Sequence, residues 1–179
     1  MFIENDLVIV ETIQTNNIEK CVLARKLNKH SFFGQPIDDA SSKLWIEGHR
    51  ESENDVLLEI IYKPTLSFVG TIGFCIANGV ADIGRISLYT PELKRLINGG
   101  ADINSIQNIS ISACELILEH LFVKMRVEKV TCEILENNHY SNLLCKKFGG
   151  IPSKAIKEMP DGTCFNIFSY SMDREQYLK

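Results

Sequence analysis

Three side chains able to hydrogen-bond or exchange protons stand close together between Val127 and Gly150: the amide of Asn138, the hydroxyl of Ser141 and the thiol of Cys145. The stretch reads VEKVTCEILENNHYSNLLCKKFGG. Its first part, 127–135, alternates imperfectly and is rich in β-branched residues, the pattern of a strand. Its second part places Leu143, Leu144, Cys145 and Phe148 on one helical face. Asn138 is suited to cap that helix, because its short side chain can accept from a free backbone N–H of the first turn. Gly149-Gly150 supplies the left-handed residue that ends it. A strand that runs into a helix N-terminus presents unpaired N–H groups and the positive end of a dipole, where negative charge is favoured. Taken alone, the unit is also an ordinary strand–helix connection.

The remaining elements position this unit. Leu7–Thr12 reads as a first strand, followed by a helix capped at Thr15 or Asn16 and reaching about Leu27. The segment His30–Ser42 is loop-like, interrupted by Gly34 and Pro36. Phe32-Phe33 within it reads as a hydrophobic plug or as a wall of an acceptor pocket. Ser41 or Ser42 caps a second helix carrying Leu44, Trp45 and Ile46, which fades in the charged run HRESEND. A meander follows: Val56–Tyr62, a turn at Lys63-Pro64-Thr65, Phe68–Ala77, the hairpin signal Asn78-Gly79, and Ala81–Tyr89. Thr90-Pro91-Glu92 starts a short helix that Asn98-Gly99-Gly100 stops. A long helix runs from about Ser105 to Met125, with Ile109, Ala113, Leu116, Ile117 and Leu121 near one face. After the 127–150 unit come a short strand at Ala155–Glu158, a turn at Met159-Pro160-Asp161-Gly162 and a last strand at Cys164–Met172. The order is mixed α+β. At 179 residues, with no repeat, low-complexity tract or linker, the chain is expected to form a single domain.

Bulk properties narrow the function classes. A net charge of −4 argues against general nucleic-acid binding. Cys21, Cys75, Cys114, Cys132, Cys145 and Cys164 form no Cys-x-x-Cys pair, and no His stands at zinc-ligand spacing, so no metal site is expected. Several cysteines sit in apolar runs and read as buried thiols of a cytoplasmic protein. No run approaches the ~18 apolar residues of a membrane span. No basic region precedes the apolar residues of MFIENDLVIV, so no signal peptide is expected.

The 127–150 unit resembles the last motif of the GNAT superfamily of N-acetyltransferases. Asn138, Ser141, Leu144, Lys147 and Gly149 stand in that motif's register. Ser141 is similar to the residue found there in the branch that acetylates ribosomal-protein N-termini. Phe68-Val69-Gly70-Thr71-Ile72-Gly73-Phe74 looks like the central GNAT strand, Ala81-Asp82-Ile83-Gly84 looks like the next, and the element order matches across nearly the whole chain. The resemblance implies a mostly antiparallel sheet flanked by helices. Three departures stand out: Cys145 replaces the usual Tyr, Gly150 replaces an aromatic, and the coenzyme phosphate loop lacks its glycines. That loop matches 105–110, and Arg95–Asn104 is an insertion before it. Asn108 tolerates a left-handed backbone and Ser110 is small, so the loop's shape could survive. Gly99-Gly100 reads as a turn.

The implied function is transfer of an acetyl group from acetyl-CoA, as cosubstrate, to a primary amine of a small molecule, an amino sugar or a peptide N-terminus, by direct attack. The reaction needs a deprotonated amine, a polarised thioester carbonyl and a route out for the thiolate. Asp82 is the candidate base, against its reading as a solvated hairpin residue. Ser141 is a candidate proton donor or coenzyme contact, against a first-turn residue that bonds the backbone. Cys145 is a candidate acid, its ordinary pKa of ~8.5 being matched to a departing thiolate, against a small packed side chain. Tyr140 is a third candidate, against a surface position. The resemblance assigns coenzyme contacts to Ser87, Leu88 and Tyr89 through their backbone, to Gln107, Asn108, Ile109 and Ser110 in the phosphate loop, and to Asn138, Ser141 and Lys147. Two other readings stay open. One is a GNAT-like acyl-CoA-binding or assembly module without turnover, suggested by the missing glycines; the other is a structural α+β domain. Pairing of two copies into a homodimer is left open.

Overall fold

The computed structural model describes residues 1–29, 38–50 and 52–179. Eight strands form one sheet: β1 Phe2–Glu4, β2 Val8–Thr12, β3 Asp55–Tyr62, β4 Ser67–Ala77, β5 Val80–Leu88, β6 Lys129–Leu135, β7 Ile151–Glu158 and β8 Cys164–Asp173. Their spatial order is β1-β2-β3-β4-β5-β6-β8-β7, and every neighbouring pair is antiparallel except β5 and β6. Helices α1 Ile18–Leu27 and α2 Asp39–Arg50 lie between β2 and β3 in the chain. Helices α3 Thr90–Asn98 and α4 Ile103–Glu119 connect β5 to β6, α5 His139–Lys147 follows β6, and α6 Arg174–Tyr177 ends the chain's last strand. This is the mixed, mostly antiparallel α+β architecture that the sequence predicts.

The strand β3 (DVLLEIIY) is apolar along nearly its whole length because helices cover both of its faces. Leu58, Ile60 and Tyr62 enter a core shared with Leu93 and Leu96 of α3 and with Ile109, Ala113 and Ile117 of α4. Leu57 and Ile61 point the other way, into a second core with Cys21 and Val22 of α1 and Ile46 of α2. Fully buried isoleucines such as Ile60, Ile109 and Ile117 each contribute roughly 1.5–3 kcal/mol to holding these layers together. Helix α5 lies on the α4 side, where Leu144 joins the first core and Cys145 packs against a third cluster of Cys132, Ile134 and Tyr170.

Several boundaries differ from expectation. β1 precedes the first expected strand and, at three residues, is too short to show a period. A 3-10 turn at Thr15–Asn17 leads into α1, and no side chain caps either element, so neither Thr15 nor Asn16 acts as the expected cap. α2 starts earlier than expected, because the Asp38 carboxylate accepts from the Ser41 N–H at 2.8 Å and takes the capping role given to Ser41 or Ser42. α2 then runs on to Arg50, into the start of the expected charged loop. Tyr89 occupies the N-cap position of α3, so Thr90 is already helical. β7 covers all of Ile151–Glu158; as a nearly fully exposed edge strand it leaves no burial pattern in the sequence. The Asn78-Gly79 hairpin is present, with φ of 52° and 77° at its two residues.

α4 continues through a π-helical turn at His120–Lys124. The whole span Ile103–Lys124, 22 residues, is long and apolar enough to cross a membrane by length and composition, which the sequence reading did not anticipate. Its Ile106, Ile109, Ala113, Ile117 and Leu121 lie in the first core. Phe32-Phe33 lie outside the described residues.

Candidate active-site cleft

The cleft arises where the one parallel pair comes apart. β5 pairs with β6 only from Val80 to Asp82, against Lys129 to Thr131. Beyond that point each strand continues without the other. A β-bulge on the far edge of β5 accounts for the parting. Against β4, Gly73 faces Gly84 and Thr71 faces Ser87, so Arg85 and Ile86 together stand opposite Ile72. Arg85 takes a left-handed φ of 59°, and the Thr71 hydroxyl donates to its carbonyl at 3.1 Å. Such a bulge bends its strand and increases its twist. The glycines of β4 permit the close approach: a Cβ on Gly70 would lie 2.5 Å from the Ser87 carbonyl oxygen, and one on Gly73 would lie 2.5 Å from that of Val56.

The opposite wall is the rigid unit of β6 and α5. Asn138 caps α5 as expected, its Oδ1 accepting from the Ser141 N–H at 3.3 Å. Asn142 ties the unit together. Its Nδ2 lies 3.0 Å from the Leu135 carbonyl, 3.3 Å from that of Glu136 and 2.9 Å from that of Asn138, while its Oδ1 accepts from the Tyr170 hydroxyl at 3.0 Å. The sequence reading missed both Asn142 and Tyr170. A polar residue on the buried side of a helix was the available signal. Tyr170 also accounts for Gly150, where a Cβ would meet the tyrosine ring at 3.2 Å and the Cys145 carbonyl at 3.0 Å.

Between these walls lies a cavity of about 330 Å³ that passes through the plane of the sheet. On the α4/α5 side it is lined by Cys114, Leu118, Asn138, Ser141, Leu144 and Cys145. On the α1/α2 side it is lined by Arg25, Trp45, Asp82, Arg85, Glu133 and Lys157. Alternation along the strands sorts the two sets, since Ala81 and Cys132 face the α4/α5 layer and Asp82, Thr131 and Glu133 therefore face away from it.

Charge is concentrated on the α1/α2 side. The Thr131 hydroxyl donates to Asp82 Oδ2 at 3.2 Å. Loss of solvent along the cleft walls is the main cause that raises the Asp82 pKa; the Glu133 carboxylate adds to it, and Thr131, Lys157 and Arg85 act against it. Lys157 pairs with Glu133, and Arg85 pairs with Asp55, which also lies 3.2 Å from His49 Nε2. The Arg25 guanidinium sits 4.2 Å from the Trp45 ring centre, with that of Arg85 at 5.5 Å. Burial, then Arg85, lowers the Arg25 pKa.

The α4/α5 side carries thiols. Cys132 Sγ and Cys145 Sγ are 3.1 Å apart. A hydrogen bond from Cys132 lowers the pKa of Cys145, and the same bond, with burial, raises that of Cys132. Cys114 is buried, which raises its pKa. Among the described residues no cluster of three His, Cys, Asp or Glu side chains could hold a metal ion.

Of the residues singled out from sequence, Asp82, Asn138, Ser141 and Cys145 meet at this cavity; Tyr140 and Lys147 are exposed outside it. Ser87, Leu88 and Tyr89 do not line it. The Leu88 carbonyl accepts from Asn28 Nδ2 at 2.9 Å, and the Tyr89 N–H donates to Val69. The edge of β5 facing the cavity is instead Asp82–Ile86. Gln107, Asn108, Ile109 and Ser110 do not form a loop. They belong to α4, which begins at Ile103 with the Asp102 carboxylate as its cap, accepting from the Ser105 N–H at 2.9 Å. From Ile106 onward the amides are bonded within the helix, so 106–110 offers no backbone cradle for a pyrophosphate. The segment expected to hold a phosphate is thus helical.

The fold recurs in solved structures. A GCN5-related N-acetyltransferase from Brucella melitensis superposes with a TM-score of 0.75 at 16% identity, over 99% of this chain and 80% of that one. The fold is that of the GNAT acetyltransferases. A GNAT-family acetyltransferase from Bacillus anthracis gives a TM-score of 0.74 at 15% identity over 98% and 99% of the two chains. A candidate ribosomal-protein-serine acetyltransferase from Vibrio cholerae gives 0.71 at 13% over 97% of each. No protein-family model and no curated protein sequence matches this chain. The likeness to these acetyltransferases is therefore one of fold, at 13–16% identity.

Proposed function

We propose that the protein is an N-acetyltransferase that moves an acetyl group from acetyl-CoA to a primary amine on a small molecule, an amino sugar or a peptide N-terminus. The observation that carries this reading is the cavity through the sheet, with Asp82 on one side and Ser141 and Cys145 on the other. Acetyl-CoA supplies the activated thioester. On the α1/α2 side, Asp82 would take the proton that the acceptor amine must lose, directly or through water; its raised pKa narrows the gap to that of an ammonium group. Along β5, amides on the edge that β6 leaves unpaired would donate to an oxygen on which negative charge develops. On the α4/α5 side, the Cys145 thiol or the Ser141 hydroxyl would return a proton to the departing sulfur.

A second reading, an acyl-CoA-binding or assembly module without turnover, is favoured by one observation: 106–110 is helical where a phosphate loop was expected. Titration calorimetry with coenzyme A and with acetyl-CoA comes first. Micromolar binding keeps both readings, and an amine panel followed by thiol release then separates them. Absence of binding up to millimolar concentration refutes the enzyme reading and the acyl-CoA-binding form of the second.

A further inference from the structure

We propose that Cys132 and Cys145 form an oxidisable dithiol in the wall of the cleft, which hydroperoxides convert reversibly into an intramolecular disulfide. The two sulfurs are 3.1 Å apart, from residues 13 apart in sequence on different elements, β6 and α5. Neither is free to drift. Cys132 is buried in the cluster with Ile134 and Tyr170, and the turn between the two elements is held by Asn138 and by the three carbonyl contacts of Asn142 Nδ2. Access is asymmetric, as a dithiol sensor requires. Both thiols line the cavity, and Cys145, which is half-buried, is more open to a small oxidant than Cys132, which is buried. The hydrogen bond from Cys132 also favours the thiolate at Cys145, the form that reacts.

The chemistry balances with a hydroperoxide as oxidant. The Cys145 thiolate attacks one peroxide oxygen, the O–O bond breaks, and the expelled hydroxide or alkoxide takes a proton from solvent. This leaves a sulfenic acid on Cys145. The Cys132 sulfur then attacks the Cys145 sulfur, the S–S bond forms, and hydroxide leaves and combines with the Cys132 proton as water. The two thiols lose two electrons and the peroxide gains them. Cys21 lies in the α1 core, and Cys75 and Cys164 lie on β4 and β8, away from the cavity; Cys114 on α4 shares the cavity wall, so the test must tell a link to it from the Cys132–Cys145 link.

The test uses the intact wild-type protein and does not depend on any activity. Folded protein is treated with hydrogen peroxide, quenched, unfolded in N-ethylmaleimide, digested with trypsin and weighed by mass spectrometry. Cleavage after Lys129 and Lys146 places both cysteines on one peptide, 130–146. Before oxidation that peptide carries two maleimide labels. The expected result after oxidation is an unlabelled peptide lighter by two hydrogens than the dithiol, restored to the doubly labelled form by prior dithiothreitol, while Cys164 stays labelled throughout. The proposal is overturned by two labels after oxidation, by a sulfinic acid at Cys145 beside a labelled Cys132, or by a link from either residue to Cys114. Cys145→Ser is expected to leave Cys132 fully labelled after peroxide; loss of that label in the variant also counts against the proposal.

Discussion

The Tyr170 hydroxyl donates to Asn142 Oδ1 across 3.0 Å, joining β8 to α5 at the closed end of the cleft wall. Tyr170 is 2% exposed and Asn142 6%, so water does not replace this bond when it is removed. Tyr170→Phe therefore leaves a buried acceptor without its donor, and urea denaturation should show a loss of about 1–2 kcal/mol. A loss below a few tenths would mean that the pair does not tie the strand to the helix.

Asp82→Asn is expected to lower kcat/KM for acetyl transfer by about 10²–10⁴-fold, the usual contribution of a positioned base, with coenzyme A affinity unchanged by calorimetry. An equal loss of coenzyme affinity would point to a structural role for the carboxylate.

The pH profile gives an independent check on the same residue. The carboxylate is the active form, so activity should rise with pH through a pKa above the ordinary aspartate range. Glu133 raises that pKa and Lys157 lowers it. Glu133→Gln should therefore shift the rising limb to lower pH, and Lys157→Met should shift it to higher pH. Shifts in the same direction would show that Asp82 does not set the limb.

Glu59 is fully buried on the α1 side of β3, with its Oε2 accepting from Asn17 Nδ2 at 2.9 Å. Burial pushes its pKa up to about 7, with the Asn17 hydrogen bond pulling the other way. A carboxyl with a raised folded pKa holds its proton more tightly folded than unfolded. It therefore destabilises the fold as pH climbs from the unfolded value of ~4.3 through the folded one, and the penalty is complete above it. Glu59→Gln keeps an acceptor for Asn17 and removes the charge. It should be more stable than wild type at pH 8 by about 1–3 kcal/mol, and the difference should vanish near pH 4. Chemical denaturation at the two pH values decides it.

Gly73→Ala places a methyl group 2.5 Å from the Val56 carbonyl, a contact with backbone that no side-chain rotation relieves. Thermal denaturation should show a loss of at least ~1–3 kcal/mol, as overpacking of a tight core position gives. A neutral outcome would mean that β3 and β4 can separate there without cost.

What the sequence disclosed was local. The Asn78-Gly79 turn, the Asn138 cap and the glycine stop at Gly149 each follow from residues within a few positions of one another. The parting of β5 from β6 does not, because it depends on where Arg85 and Ile86 fall against Ile72 of a different strand. The pairing of Cys132 with Cys145 needed the crossing of β6 by α5. The helical state of 105–110 was legible in the periodicity, which places a helix from about Ser105; the family resemblance laid a phosphate loop over the same residues, and the bond from the Ser105 N–H to the Asp102 carboxylate fixes the start of the helix. Asn142 was hidden for another reason: its partners are three carbonyls and a tyrosine on β8, and only the carbonyls are near it in sequence.

The cavity passes through the sheet, and that arrangement bears on traffic. On the acetyl-transfer reading the two ligands use separate doors on opposite faces, with the parted strands as a septum that only the reacting atoms cross. Neither ligand blocks the other's entry, and neither has to leave before its partner arrives. Initial-rate patterns should then be those of a ternary complex, with intersecting double-reciprocal lines, and inhibitors shaped like one ligand should leave binding of the other intact.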